Sequence, residues 1–106
     1  EVGIIITIHA LGSAKNVSIF NLDTGESMKL KVDLVKGDDI IISTVKGEKY
    51  VHKLQEGVET NALNCIDRDA DWFLLSKGDN LFAYTAEEGL RNLDFQIQNY
   101  ILYEGV

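Results

Sequence analysis

Proline is absent from this chain of 106 residues, cysteine occurs once and histidine twice. With Cys65 alone no internal disulfide can form, so packing must hold the fold and a reducing compartment is tolerated. The neighbours Asn64 and Ile66 suggest that Cys65 is a small buried thiol. Basic residues are also scarce: 10 Lys and Arg face 17 Asp and Glu, a formal charge of −7. A surface of that sign is not drawn to phosphate backbones or anionic membranes, and no basic patch interleaved with aromatics offsets it. Long apolar runs are missing too. Residues 4–8 are interrupted by Thr7, are far too short to span a bilayer, and lack the basic flank and cleavage site of a signal peptide. Neither nucleic-acid partners nor membrane insertion are therefore expected. No repeat, low-complexity tract or linker appears. With 45% hydrophobic residues, one compact domain spanning residues 1–106 is expected. The chain opens at Glu1 directly inside a strand pattern, as a domain cut from a longer protein would.

What is present is a succession of strand signals every eight to twelve residues. Residues 3–9 are apolar and β-branched, and residues 16–20 follow a Gly12-Ser13 break. The turn Asp23-Thr24-Gly25 feeds a clean alternation in which Met28, Leu30, Val32 and Leu34 face one way and Lys29, Lys31 and Asp33 the other. Residues 40–45 are continuously apolar, which predicts a central strand buried on both faces. Gly25, Gly37 and Gly47 centre three reversals read as hairpins, because Gly supplies positive φ without steric cost. In residues 49–54, Tyr50, His52 and Leu54 alternate with Lys49, Val51 and Lys53. Residues 55–60 read as loop, and residues 61–66 as a turn or one helical turn. Residues 72–75 and 81–84 read as two strands reversing through Lys77-Gly78-Asp79-Asn80, and Leu93, Phe95 and Ile97 share one face of a last strand. No long window sustains helical amphipathicity. The expected class is all-β, an antiparallel two-sheet sandwich of jelly-roll or galectin-like type. Its core should draw on Met28, Leu30, Val32, Ile40, Ile42, Trp72, Phe82, Tyr84, Phe95 and Ile97, with Lys29, Lys31, Lys49 and Lys53 on wet faces.

Catalytic patterns fail on inspection. Asp23-Thr24-Gly25 matches the triplet of retroviral-type aspartic proteases, whose two subunits share a proton between paired aspartates. Here the triplet lies between Asn21-Leu22 and Glu26-Ser27 without the required apolar packing, and no apolar strand ending in Gly-Arg braces it. An ordinary turn, capped by Asp23, is the better reading. Asp67, Asp69 and Asp71 have the spacing of half an EF-hand loop, but its sixth and twelfth positions hold Trp72 and Gly78 in place of Gly and Glu. That leaves solvated carboxylates on a turn or edge strand, with at most an incidental Ca²⁺ contact. His9 and His52 make no metal-ligand spacing with Cys65. No serine sits in a nucleophile elbow, and no glycine run forms a phosphate loop. Neither catalytic, metal nor cofactor-binding residues are assigned, and no enzymatic activity is expected.

Several turn motifs keep one order along the chain. Asn21, Thr24, Gly25 and Glu26 form N-x-x-T-G-E; Gly37-Asp38 opens the next strand; Asn61-Ala62-Leu63 is followed by Asp67. Phe73, Leu75, Gly78 and Asn80 form F-x-L-x-x-G-x-N before Tyr84, and Tyr103, Gly105 and Val106 close the chain. In this order they resemble the C-terminal domain of siphovirus distal tail proteins, over roughly residues 3–106. The resemblance implies a virion structural protein joining the tail tube to the tip or baseplate. Its galectin-like sandwich would hold, or sit beside, receptor-binding components, and the family's N-terminal domain would form a hexameric ring. The implied partners are other tail-tip proteins of a phage or prophage, and the implied location is the tail tip, with the bacterial cytoplasm during assembly. The domain alone is expected to be a monomer. A carbohydrate-binding module is the alternative, since a Trp72 face could stack on a sugar while carboxylates accept from its hydroxyls. The galectin sugar motif is absent, however: His52 is followed by Lys53, Leu54 and Gln55. The candidate contact residues for a ligand or partner are Trp72, Asp67, Asp69 and Asp71.

Overall fold

A computed structural model describes residues 2–45, 47–67, 70–72, 74–75 and 81–98. The strands are β1 (Val2–Gly3), β2 (Ile5–Ala10), β3 (Ala14–Asn21), β4 (Glu26–Leu34), β5 (Asp39–Ser43), β6 (Tyr50–Gln55), β7 (Val58–Asn61), β8 (Leu74–Leu75), β9 (Phe82–Glu88) and β10 (Leu93–Gln98). Short 3-10 turns occupy Leu63–Cys65 and Leu90–Asn92, and no α-helix occurs among the described residues. A five-stranded sheet runs β10-β2-β5-β6-β7, a three-stranded sheet runs β4-β3-β9, and β1 pairs with β8 in a small separate ladder. All pairings are antiparallel. The all-β class with two antiparallel sheets read from the sequence is the observed one.

The core lies between the two larger sheets. Ile6, Ile8, Ile40, Ile42 and Val51 of one meet Val17, Ile19, Met28, Leu30 and Leu34 of the other in a single buried cluster. Period-two alternation puts them there, since only every second side chain of a strand can face the opposite sheet. Met28, Leu30, Val32, Ile40 and Ile42 are buried as expected, while Trp72, Phe82, Tyr84, Phe95 and Ile97 are half-buried and pack against the cluster. Tyr84 and Phe95 stack across the sandwich with ring centroids 4.6 Å apart.

Several local expectations are corrected. The reversal at Lys36-Gly37-Asp38 is not a hairpin: it carries the chain from β4 in one sheet to β5 in the other. Turn chemistry specifies a change of direction and says nothing about which sheet the next strand joins. Residues 55–60 are not all loop. Glu56 and Gly57, with φ of 51° and 80°, make the two-residue turn of a hairpin leading into β7, and positive φ at both positions matches the right-handed twist of the strands. β5 is the middle strand of its sheet, but Ile41 on its outer face is only half-buried, because no further layer among the described residues covers that face. Lys53 is not on a wet face. It lies in register with Ile40 on the inner side of the sheet, its stem half-buried and its ammonium 3.1 Å from the Asp33 carbonyl oxygen, so the aliphatic stem packs while the charged end reaches the rim. Cys65 is half-buried, not fully buried. β8 and β9 pair with β1 and β3 and not with each other. The turn expected at residues 77–80, Phe73 and the closing motif of Tyr103, Gly105 and Val106 all lie outside the described residues.

Candidate functional site

The acidic segment follows the 3-10 turn and runs along the free edge of β4. An edge strand presents unpaired backbone groups that must be satisfied or shielded. Here Ile66 bridges to Leu30, Asp67 N–H donates to the Lys29 carbonyl at 3.0 Å, and Asp71 N–H donates to the Ser27 carbonyl at 2.8 Å. The Asp71 carboxylate in turn accepts from Ser27 N–H at 2.9 Å. Asp71 therefore closes a reciprocal pair with Ser27, and the segment acts as a strap over the sheet edge.

Of the four residues singled out in the sequence, Asp67 and Asp71 lie on this strap, and Trp72 follows it, half-buried against the core. Asp69 lies outside the described residues. A shallow cleft between strap and β4 is lined by Ser27, Lys29, Asp67 and Ala70. The Lys49 ammonium stands 5.8 Å from the Trp72 ring centroid, a cation–π arrangement. No group of three or more His, Cys, Asp or Glu capable of holding a metal is assembled among the described residues.

The remaining candidates are used in turns and on the sheet surface. Asp23 Oδ2 accepts the Leu81 N–H at 2.7 Å, tying the β3–β4 turn to the start of β9. The cap of that turn is Asn21, not Asp23: its Oδ1 accepts from the N–H groups of Asp23 and Thr24 at 3.0 and 3.3 Å. His9 Nδ1 lies 2.6 Å from Asp39 Oδ1. His52 pairs with Glu59 and stacks on Tyr50. Both histidines sit on the outer face of the five-stranded sheet, each engaged by one carboxylate. Sequence reading missed these cross-strand pairs because they exist only once the strand register is known: Asp39 stands directly opposite His9, and Glu59, opposite Leu54, reaches His52 diagonally across the β6–β7 ladder.

The arrangement is that of an all-β domain whose notable polar groups secure turns and edges. Its particular kind follows from comparison with known families: residues 1–97 match the siphovirus-type tail component, C-terminal domain. The match takes in every described strand except the last residue of β10, and the chain belongs to that family. No curated protein and no solved structure matches it.

Proposed function

We propose that this chain is the outward-facing C-terminal domain of a distal tail protein, a structural part of the tail tip or baseplate of a phage or prophage. In this reading the sandwich is of the jelly-roll, galectin-like kind. A preceding domain of the same protein builds a hexameric ring around the end of the tail tube, and the sandwich holds other tip or receptor-binding components. The protein is made and assembled in the bacterial cytoplasm and resides at the tail tip. The observation that carries the proposal is the family match across both sheets. The structure supports it in a second way: the family-like motifs form corners of the fold, where Asn21, Asp38 and Asn61 each accept a backbone N–H. The test is mass spectrometry of purified tails combined with antibody labelling against this domain in electron micrographs. Label at the distal end of the tail is expected. Tails that lack the protein, or label confined to the capsid or tube, overturn the proposal.

A further inference from the structure

Three connections pass between the sheets at one pole of the sandwich: residues 11–13, 35–38 and 89–92. Their shared location follows from register, since Ala10 pairs with Leu93, His9 with Asp39, and Ala14 with Leu34. We infer that this pole is the surface by which the domain grips a segment of another tail protein that presents aliphatic side chains flanked by carboxylates. The inference rests on the proposed tail role and adds the surface and the chemistry of its partner.

Each crossover carries one aliphatic residue turned to solvent: Leu11 is 59% exposed, Val35 51% and Leu90 40%. Single exposed aliphatics are ordinary, but a group of them on one face marks a contact surface. The crossovers are also fastened to one another. Leu11 N–H donates to the Asn92 carbonyl at 2.6 Å, Gly37 N–H to the Ala10 carbonyl at 2.8 Å and Ala10 N–H to the Asp38 carbonyl at 2.8 Å. The Asn92 amide donates to the Ser13 carbonyl at 2.8 Å. A platform fixed in this way loses little conformational freedom when a partner docks.

Charge selects the partner. Lys36 and Arg91 follow Val35 and Leu90 directly in the chain and are exposed, and neither has a carboxylate partner among the described residues. The only acid within the crossovers, Asp38, is 2% exposed and turned inward to the Val35 N–H at 3.0 Å. Behind them Lys15 stands in register between Asp33 and Glu88, and Asp39 is held by His9. The free charges on the crossovers are thus both positive, on a chain of net charge −7. Lys36 and Arg91 give an acidic partner two cations, unpaired among the described residues, beside the exposed aliphatic side chains of the crossovers. Val2 and Gln98 lie at the opposite pole, where Gln98 pairs with Ile5, so the described chain ends do not obstruct it.

The test places a photo-crosslinking benzoylphenylalanine at Val35 or Leu90 in the chain as encoded, with Leu22 at the other pole as a control, and irradiates purified tails. Crosslinks from Val35 and Leu90 to a different tail protein are expected, mapping to a peptide rich in Asp or Glu with Leu, Ile or Val. The double change Lys36→Glu/Arg91→Glu should lower the yield by about tenfold or more, with Lys36→Gln/Arg91→Gln intermediate, while incorporation into tails is unchanged. Crosslinks solely to copies of this chain, crosslinks to a peptide without carboxylates, or a yield indifferent to charge reversal each overturn the inference. So does silence from Val35 and Leu90 in tails that contain the protein. Absence of the unmodified protein from tails overturns the proposed function instead.

Discussion

Asn21, Asp38 and Asn61 do the same physical work at three corners of the sandwich. Asn21 Oδ1 accepts two N–H groups of the β3–β4 turn, Asp38 Oδ2 accepts Val35 N–H at 3.0 Å, and Asn61 Oδ1 accepts Leu63 N–H at 2.9 Å. Each supplies an acceptor where the chain leaves a sheet and its amides lose their ladder partners. Asn21 is fully buried, so Asn21→Ala should strand those donors and cost about 2 kcal/mol in urea unfolding. Asp23→Asn should unfold within about 0.5 kcal/mol of the parent, because an amide oxygen can still accept from Leu81 N–H. Two glycines separate strain from clash. Gly25 has φ of 79° with open space around its missing Cβ, so Gly25→Val should cost about 1 kcal/mol or more through backbone strain. Gly89 has φ of 77°, and a Cβ there would stand 2.0 Å from the Ser13 carbonyl oxygen. Gly89→Ala should therefore be the worse of the two, by about 2 kcal/mol. Equal midpoints for the two variants would refute the clash.

At the level of elements, the informative features are a strap and a bulge. β3 slips register against β4 between Lys15 and Val17, where Asn16 adopts φ of 52°. Its side chain then bridges both neighbours, donating to Glu87 Oε2 at 2.7 Å and accepting from Val32 N–H at 3.1 Å. Asparagine tolerates the left-handed region better than other side-chain-bearing residues, and its amide replaces the pairing that the bulge forfeits. Asn16→Ala should cost about 2 kcal/mol, and Asn16→Gly less, since glycine removes the strain but not the lost bonds. The strap makes a kinetic prediction. Asp71→Ala removes the acceptor of Ser27 N–H, so hydrogen exchange at Ser27 and Asp71 should speed up while the β2 and β5 amides stay protected. Uniform acceleration across the sandwich would show that the strap is part of the global unfolding unit.

For the molecule as a whole, a net charge of −7 on 106 residues opposes self-association, and the aliphatic pole carries like charges that do not pair with a copy of themselves. The isolated domain should sediment as a monomer at physiological salt. A stable hexamer would place the ring-forming surface in this domain and contradict the division of labour proposed for it.

Alternation over residues 28–34 and 93–97 was enough to place Met28, Leu30, Val32, Leu34, Leu93, Phe95 and Ile97 toward a core, because a strand offers only two faces and the polar residues occupy one of them. The turn at Gly25, the acidic balance and the lack of a disulfide were legible for the same kind of reason: each depends on residues close in sequence or on composition alone. The crossover at Gly37, the pairing of β8 with β1, the inward placement of Lys53, the strap over β4 and the gathering of Leu11, Val35 and Leu90 at one pole were not. Each depends on which strand lies beside which, and hydrogen bonding between distant backbone segments leaves no mark in any local window of sequence. The chain by itself determined what its strands are made of and which side of each is dry; only the tertiary structure decided their neighbours, because strand pairing is settled by the packing of the whole core at once.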